Sequence, residues 1–267
     1  MPQALEFISG QATAPSSTLT ALTMSGTDTL TIRNADITKR NYLLSLWARN
    51  NAAGIARIYS PRMHDVNQGI RVRIPATSGT MTSEYFPVPY PQVVFPTDTL
   101  TAQISGSAVA GQIEQLGMLF YYDDVPGVAS TLVAPADAMK GPMQIMSQEV
   151  TLTAGAAGGY SGAAAVNSNF DNWQAGKRYA LIGGMVDADC LAISVKGIDV
   201  GNLRVAFPGA SALRFYTARF FWHLSNDYGI PLIPVFQANN RGAITVEVVT
   251  NQAGGTFNVT LFFYLLT

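Results

Sequence analysis

Lys39-Arg40-Asn41-Tyr42-Leu43-Leu44 and Lys177-Arg178-Tyr179-Ala180-Leu181-Ile182 open two apolar runs of the same kind, one in each half of the chain. Further matches follow in the same order. Ile55-Ala56-Arg57-Ile58 is echoed by Leu191-Ala192-Ile193-Ser194, and Arg71-Val72-Arg73-Ile74-Pro75 by Arg204-Val205-Ala206-Phe207-Pro208. Leu100-Thr101-Ala102-Gln103-Ile104 lines up with Ile244-Thr245-Val246-Glu247-Val248, Gly111 with Gly255, and Leu119-Phe120-Tyr121-Tyr122 with Leu261-Phe262-Phe263-Tyr264. A unit of roughly 130 residues is too long for a solenoid or propeller repeat and has the size of a domain. The chain therefore reads as two similar domains.

Each run is short and β-prone. Candidate strands are 18–24, 29–33, 42–49, 55–59, 69–75, 92–95, 99–105 and 113–122 in the first half. The second half offers 143–153, 179–186, 190–196, 203–207, 231–237, 243–250 and 256–266. Leu30-Thr31-Ile32-Arg33 and Ile70-Arg71-Val72-Arg73-Ile74 alternate as a sheet with one core-facing side does. With no convincing helix between the strands, the pattern is all-β, two β-sandwiches in tandem. Asp123-Asp124-Val125-Pro126-Gly127 and the prolines at 135 and 142 mark the boundary. The expected division is 1–125, a linker over 126–142, and 143–267. Asn34-Ala35-Asp36 and Asn169-Phe170-Asp171 precede the Lys-Arg pairs and suit turns, because their side chains bond nearby backbone.

Two segments are less regular. Ala212 to Leu224 fits both strand alternation and helical spacing, and its aromatics favour a strand. Tyr85-Phe86-Pro87-Val88-Pro89-Tyr90-Pro91 lacks an N–H at every other position from Pro87, which confines it to a sheet edge or an extended loop.

Composition narrows the function classes. The chain is 48% hydrophobic and 12% charged, about half the usual charged fraction. It has twelve Arg against four Lys and five Glu. Arg and aromatics are favoured, and Lys and Glu depleted, where subunits cover one another. A net charge of −1 and the absence of a basic run argue against a genome-binding arm. Met1-Pro2-Gln3-Ala4-Leu5-Glu6 lacks the basic and apolar regions of a signal peptide, and no apolar window has the ~20 residues of a spanning helix.

Catalytic constellations are missing from the pattern. His64 and His223 stand one in each half, without a Gly-x-Ser-x-Gly elbow. One cysteine, Cys190, reads as a buried thiol. No His/Cys/carboxylate set has metal-ligand spacing. Ala154-Gly155-Ala156-Ala157-Gly158-Gly159 is Gly-rich, but no Gly-Lys-Ser/Thr follows it. The chain is therefore expected to be no enzyme and to need no cofactor or metal.

Two eight-strand-sized β units in tandem, without catalytic residues, resemble the double jelly-roll major capsid proteins of tailless icosahedral viruses that enclose a membrane, bacteriophages among them. The likeness spans the whole chain and is architectural, with no diagnostic motif. It implies two eight-stranded jelly rolls, a homotrimer with a pseudo-hexameric outline, and a shell tiled by such trimers. It also implies other capsid proteins and an underlying viral membrane as partners, no sequence-specific nucleic-acid binding, synthesis in the host cytoplasm and residence in the virion. Arg57, Arg62, Tyr85, Tyr90, Arg214, Arg219 and Trp222 are the candidate interface residues, chosen for their Arg–aromatic setting. The alternative is a non-catalytic carbohydrate-binding or adhesin protein with two β-sandwich modules, whose Trp47, Trp173 or Trp222 would be exposed on one face with Tyr85 and Tyr90. An outer-membrane barrel and a duplicated enzyme fit less well.

Overall fold

The computed structural model describes residues 3–34, 36, 38–63, 69–75, 84–125, 130–142, 144–210, 214–250 and 252–266, with backbone alone for 84–90 and 214. The first half contributes β1 (Gln3–Thr13), β2 (Thr20–Ala21), β3 (Thr23–Met24), β4 (Asn41–Arg49), β5 (Gly54–Tyr59), β6 (Ile70–Ile74), β7 (Glu84–Val94), β8 (Thr101–Ile104) and β9 (Ile113–Asp123). Then come β10 (Leu132–Val133), α1 (Pro135–Ala138), β11 (Ile145–Thr153), β12 (Ala164–Ala165), β13 (Arg178–Val186), β14 (Cys190–Lys196) and β15 (Arg204–Gly209). The last elements are α2 (Arg214–Thr217), α3 (Phe220–Tyr228), β16 (Ile233–Gln237), β17 (Thr245–Val249) and β18 (Thr256–Leu265), with a 3-10 turn over Ala238–Ala243.

Among the described residues the strands form four antiparallel sheets. Sheet I runs β2-β8-β5-β6, sheet II β3-β1-β9-β4-β7, sheet III β12-β17-β14-β15 and sheet IV β10-β16-β13-β18-β11. Setting aside the small edge strands β3 and β10, each half has eight strands. Counted from one to eight along each half, they form sheets of order 1-8-3-6 and 2-7-4-5 in both. That double Greek key is the jelly roll. The repeat extends to an irregularity. The ladder slips between Leu43 and Ser45 in β4 and between Leu181 and Gly183 in β13, the same place in the two halves. A bulge sharpens the local bend of its strand, so both rolls bend at one aligned position.

The two cores decide how the sheets stack. Ala4, Ile8, Leu43, Leu46, Leu116, Met118, Phe120 and Tyr122 of sheet II meet Ala56, Ile58, Ile74, Ala102 and Ile104 of sheet I inside the first roll. The opposite face of sheet II carries Leu5, Phe7, Leu44, Trp47, Leu119 and Tyr121, buried in one cluster with Ala192 and Ala206 of sheet III. Sheet III in turn closes over sheet IV as the second roll. The order through the molecule is thus I, II, III, IV. Sheets II and III are covered on both sides, which is why β4, β9 and β14 read as near-continuous apolar runs.

Three sequence expectations change. Gln3–Thr13 is an eleven-residue strand; burial on both faces removes the alternation that would have revealed it. Residues 29–33 form no strand and make one isolated bridge, Thr31 to Thr99. From Arg214 onward the ambiguous segment is helical, so the preference for a strand is corrected. Phe220, Phe221 and Leu224 bury one side of α3, and Gly229 ends it with φ 65°, the left-handed closure that glycine favours. The expected linker contributes β10, paired with β16, and α1. The proline-rich stretch lies in β7 at the edge of sheet II.

Candidate assembly surfaces

The contact between the rolls is built around one tryptophan. Trp47 stacks on Phe7 with centroids 5.1 Å apart and rings 3° from parallel. Phe220 of α3 meets its edge at 5.8 Å. Gly117 in the neighbouring strand leaves the space, since a methyl there would sit 2.7 Å from the Phe7 ring and 2.8 Å from Trp47 Nε1. The Tyr228 hydroxyl donates across the seam to the Leu44 carbonyl. At one margin a polar clasp closes the seam. Arg204 Nε donates to Glu247 at 2.8 Å and its Nη1 to Asp28 at 3.2 Å. The guanidinium lies 3.9 Å over the Tyr160 ring, and the Tyr160 hydroxyl donates to Asp28 Oδ2 at 2.6 Å. Ser9 N–H also donates to Asp28, at 3.1 Å, and Ser25 Oγ to the Gly158 carbonyl at 2.8 Å.

Burial pushes the Asp28 carboxyl above its ordinary value, against the pull of Tyr160, Ser9 and Arg204. The same desolvation holds the Tyr160 phenol well above its usual range. Inside the first roll, burial raises Glu6 although Arg33 and Tyr122 bond to it.

The outward faces of sheets I and IV form the two ends of the stack. On sheet I, Arg71 and Arg73 are exposed, while Arg57, Tyr59, Thr101 and Gln103 are half-buried. The Arg57 guanidinium lies 4.0 Å over the Tyr59 ring. Strands β2, β5, β6 and β8 contain no acidic residue. On sheet IV, β11 alternates strictly, turning Ile145, Ser147, Glu149, Thr151 and Thr153 outward. Beside it Thr256 and Asn258 are exposed, with Thr260, Phe262 and Tyr264 half-buried. A recess of about 360 Å³ between α3 and these strands is lined by Ile145, Ile182, Ala218, Arg219, Trp222, Phe262 and Tyr264. At its rim Phe215 and Tyr216 are 63% and 60% exposed.

The sequence-derived interface candidates fall into two groups. Arg219 and Trp222 come together at the recess, Arg219 over the Phe215 ring at 5.2 Å and Trp222 against Tyr264 at 5.7 Å. Arg57 and Arg62 lie on the first roll, with Arg62 exposed and its Nη1 donating to the Pro96 carbonyl at 3.3 Å. Tyr85 and Tyr90 belong to β7 and Arg214 opens α2, but their side chains lie outside the described residues. Arg204, Tyr160, Phe215 and Tyr216 were not singled out from sequence. The match of Arg204 to Arg71 in the repeat was the available signal.

Cys190 is fully buried, and desolvation pushes its thiol up to about 12. His64 lies outside the described residues. No group of three His, Cys, Asp or Glu side chains among the described residues is arranged to hold a metal ion. No helix among them is long and apolar enough to cross a membrane.

No protein-family model matches the chain, and no curated protein sequence does. Among solved structures it is similar to the major capsid protein P2 from bacteriophage PM2, at 6% identity and a TM-score of 0.24, over 99% of this chain and 98% of that chain. A likeness of that size adds nothing to the jelly-roll order, which the strand pairings establish by themselves.

Proposed function

We propose that this chain is the structural subunit of an icosahedral virus shell, acting as a homotrimer whose six jelly rolls approximate a hexagon. The observation that carries the reading is the I-II-III-IV stack. Two rolls of one topology pack in the same sense, so the unit ends in two unlike faces rather than one self-complementary face. Unlike faces favour head-to-tail association, which closes into a ring when the rotation between neighbours permits. Three chains would then present six similar units to a lattice. The low charge of the chain fits faces meant to be covered.

Within this reading the working division is a first roll over 1–125, a connecting stretch over 126–142 and a second roll over 143–267. The chain acts without catalysis, together with other shell proteins and above an internal membrane. The carbohydrate-binding alternative is weaker, because Trp47 and Trp173 are buried and unavailable to stack on a sugar. Native mass spectrometry of the purified chain is expected to give a trimer, and negative-stain micrographs a pseudo-hexagonal outline. A strict monomer at micromolar concentration that binds a glycan array would defeat the reading.

A further inference from the structure

We infer that the seam between the rolls binds a small monovalent anion, of the size of chloride, at Arg49, and that this anion is the counter-charge of a guanidinium buried between sheets II and III. The inference is independent of the trimer reading. The ladders place the site. Arg49 of β4 lies directly opposite Gln115 of β9, and Gln115 opposite Gln11 of β1. Two residues back along β4, Trp47 lies opposite Gly117. Phe7, Trp47 and Leu119 face sheet III, and strand alternation puts Gln11, Arg49 and Gln115 on the same face. Across the seam, Gln115 Nε2 donates to the Thr250 carbonyl at 3.4 Å, and the Gly158 N–H donates to that oxygen at 2.6 Å. A methyl on Gly158 would collide with Gln11 Oε1, so the Gly-rich stretch over 154–159 lies directly against the Gln11 end of the row.

This corner of the seam is short of partners. Arg49 is 5% exposed, yet neither its Nε nor its Nη1 has a hydrogen-bond partner. Trp47 Nε1, Gln115 Oε1 and Gln11 Oε1 are buried and equally unbonded. A single buried polar atom without a partner is uncommon. Four neighbouring side chains that carry such atoms mark a place for an ion and its water. Charge selects the ion. Arg204, the other guanidinium of the seam, holds Asp28 and Glu247. No carboxylate among the described residues forms an ion pair with Arg49. Burial lowers its guanidinium from the usual range, with Cys190 and Asp189 pulling less strongly the other way. Cys190 keeps its proton at neutral pH, since its thiol is pushed up to about 12, and so brings no charge there. An arginine does not shed its proton to escape burial, and a buried charge needs a counter-charge. One unpaired cation matches one monovalent anion; a phosphate dianion would bring a second charge with nothing to balance it. The N–H groups of Arg49 and Trp47 are the donors to the anion, and the two glutamine carbonyls accept from the water around it.

Salt identity tests the site. At constant ionic strength, replacing sodium gluconate by sodium chloride is expected to raise the thermal midpoint of the wild-type chain by about 3–6 °C once chloride is tenfold above its Kd. Gluconate is too large for the seam and serves as the reference. In Arg49→Met the two midpoints are expected to coincide, with circular dichroism as the check that the variant is folded. A second measurement uses the wild-type chain alone. Crystals soaked in sodium bromide are expected to show an anomalous bromine peak beside the Arg49 guanidinium. If Arg49→Met does not fold, the wild-type salt response and the bromine peak decide together. A chloride effect of the same size in folded Arg49→Met overturns the inference, as does the lack of a bromine peak at Arg49. A bromine peak with equal wild-type midpoints marks an adventitious ion only and overturns it too. None of these outcomes bears on the trimer reading, which the oligomeric state tests separately.

Discussion

Arg204 shows how much of the seam depends on one side chain. It joins residues 176 positions apart in sequence, and truncation leaves two buried carboxylates without their cation. Arg204→Met is expected to cost about 2–4 kcal/mol of unfolding free energy, read from denaturant midpoints. The Asp28 carboxyl itself runs the other way. Burial raises Asp28, so the folded state binds its proton more tightly than the unfolded state does. That contribution is full below the ordinary aspartate value and is lost as pH rises through the raised one. Asp28→Asn removes this loss. The thermal midpoint of the variant, relative to wild type, is therefore expected to climb as pH rises above the ordinary aspartate value of about 4. A relative midpoint that falls with pH would show that attraction to Arg204 outweighs burial. Local bonds were readable in advance: Asp36 N–H donates to Asn34 Oδ1 and Trp173 N–H to Asp171 Oδ1, as the Asn-x-Asp turns imply. Arg204 was not readable, because nothing near it in sequence names Asp28.

Strands with one wet face announced themselves at the element scale, and strands with none did so only as apolar runs. β11 and β6 alternate, and their positions follow from the pattern. β1 contains Glu6, Ser9, Gly10 and Gln11 among apolar residues and shows no clear period, although seven consecutive positions are buried. The helices over 214–228 were obscured for a different reason. Aromatics normally signal strands, but here they fill the gap between two rolls, and the Gly229 closure was the better signal. α2 also leans on a glycine. A methyl on Gly183 would run into the Thr217 carbonyl and press on Ala218. Gly183→Ala is expected to destabilise the chain by about 1–3 kcal/mol and to speed hydrogen exchange across 214–228 before it does so in β9. Uniform exchange across both elements would count against that placement.

The apolar seam is expected to make one folding unit of the whole molecule. Leu5, Phe7, Leu44, Trp47, Leu119 and Tyr121 would all meet water if the first roll stood alone, a patch large enough to drive aggregation. Calorimetry is expected to give a single transition for the full chain. Residues 1–125 expressed alone are expected to be insoluble. Two separate transitions, or a soluble monomeric first half, would show the seam to be weaker than its packing. The scarcity of charge has the same origin in part: two of the four outward-facing sheet surfaces that the sequence left to be covered are covered within the chain. The duplication and the sandwich class could be read from order and composition. The facing of II on III could not, because periodicity says which side of a strand is apolar and not what lies against it.

If the proposed trimer forms, covalent linkage between the rolls changes the kinetics of building its ring. Six free units would need five encounters before the ring closes, each with its own loss of translational freedom and its own chance of a wrong angle. With each pair joined at synthesis, three of the six joints are set before any subunit meets another, and the wedge of Trp47 and Phe220 fixes their angle. Errors in ring size can then enter only at the three joints between chains, two formed by collision and one by closure. Under the proposed trimer reading, duplication would remove half the places where a ring can go wrong.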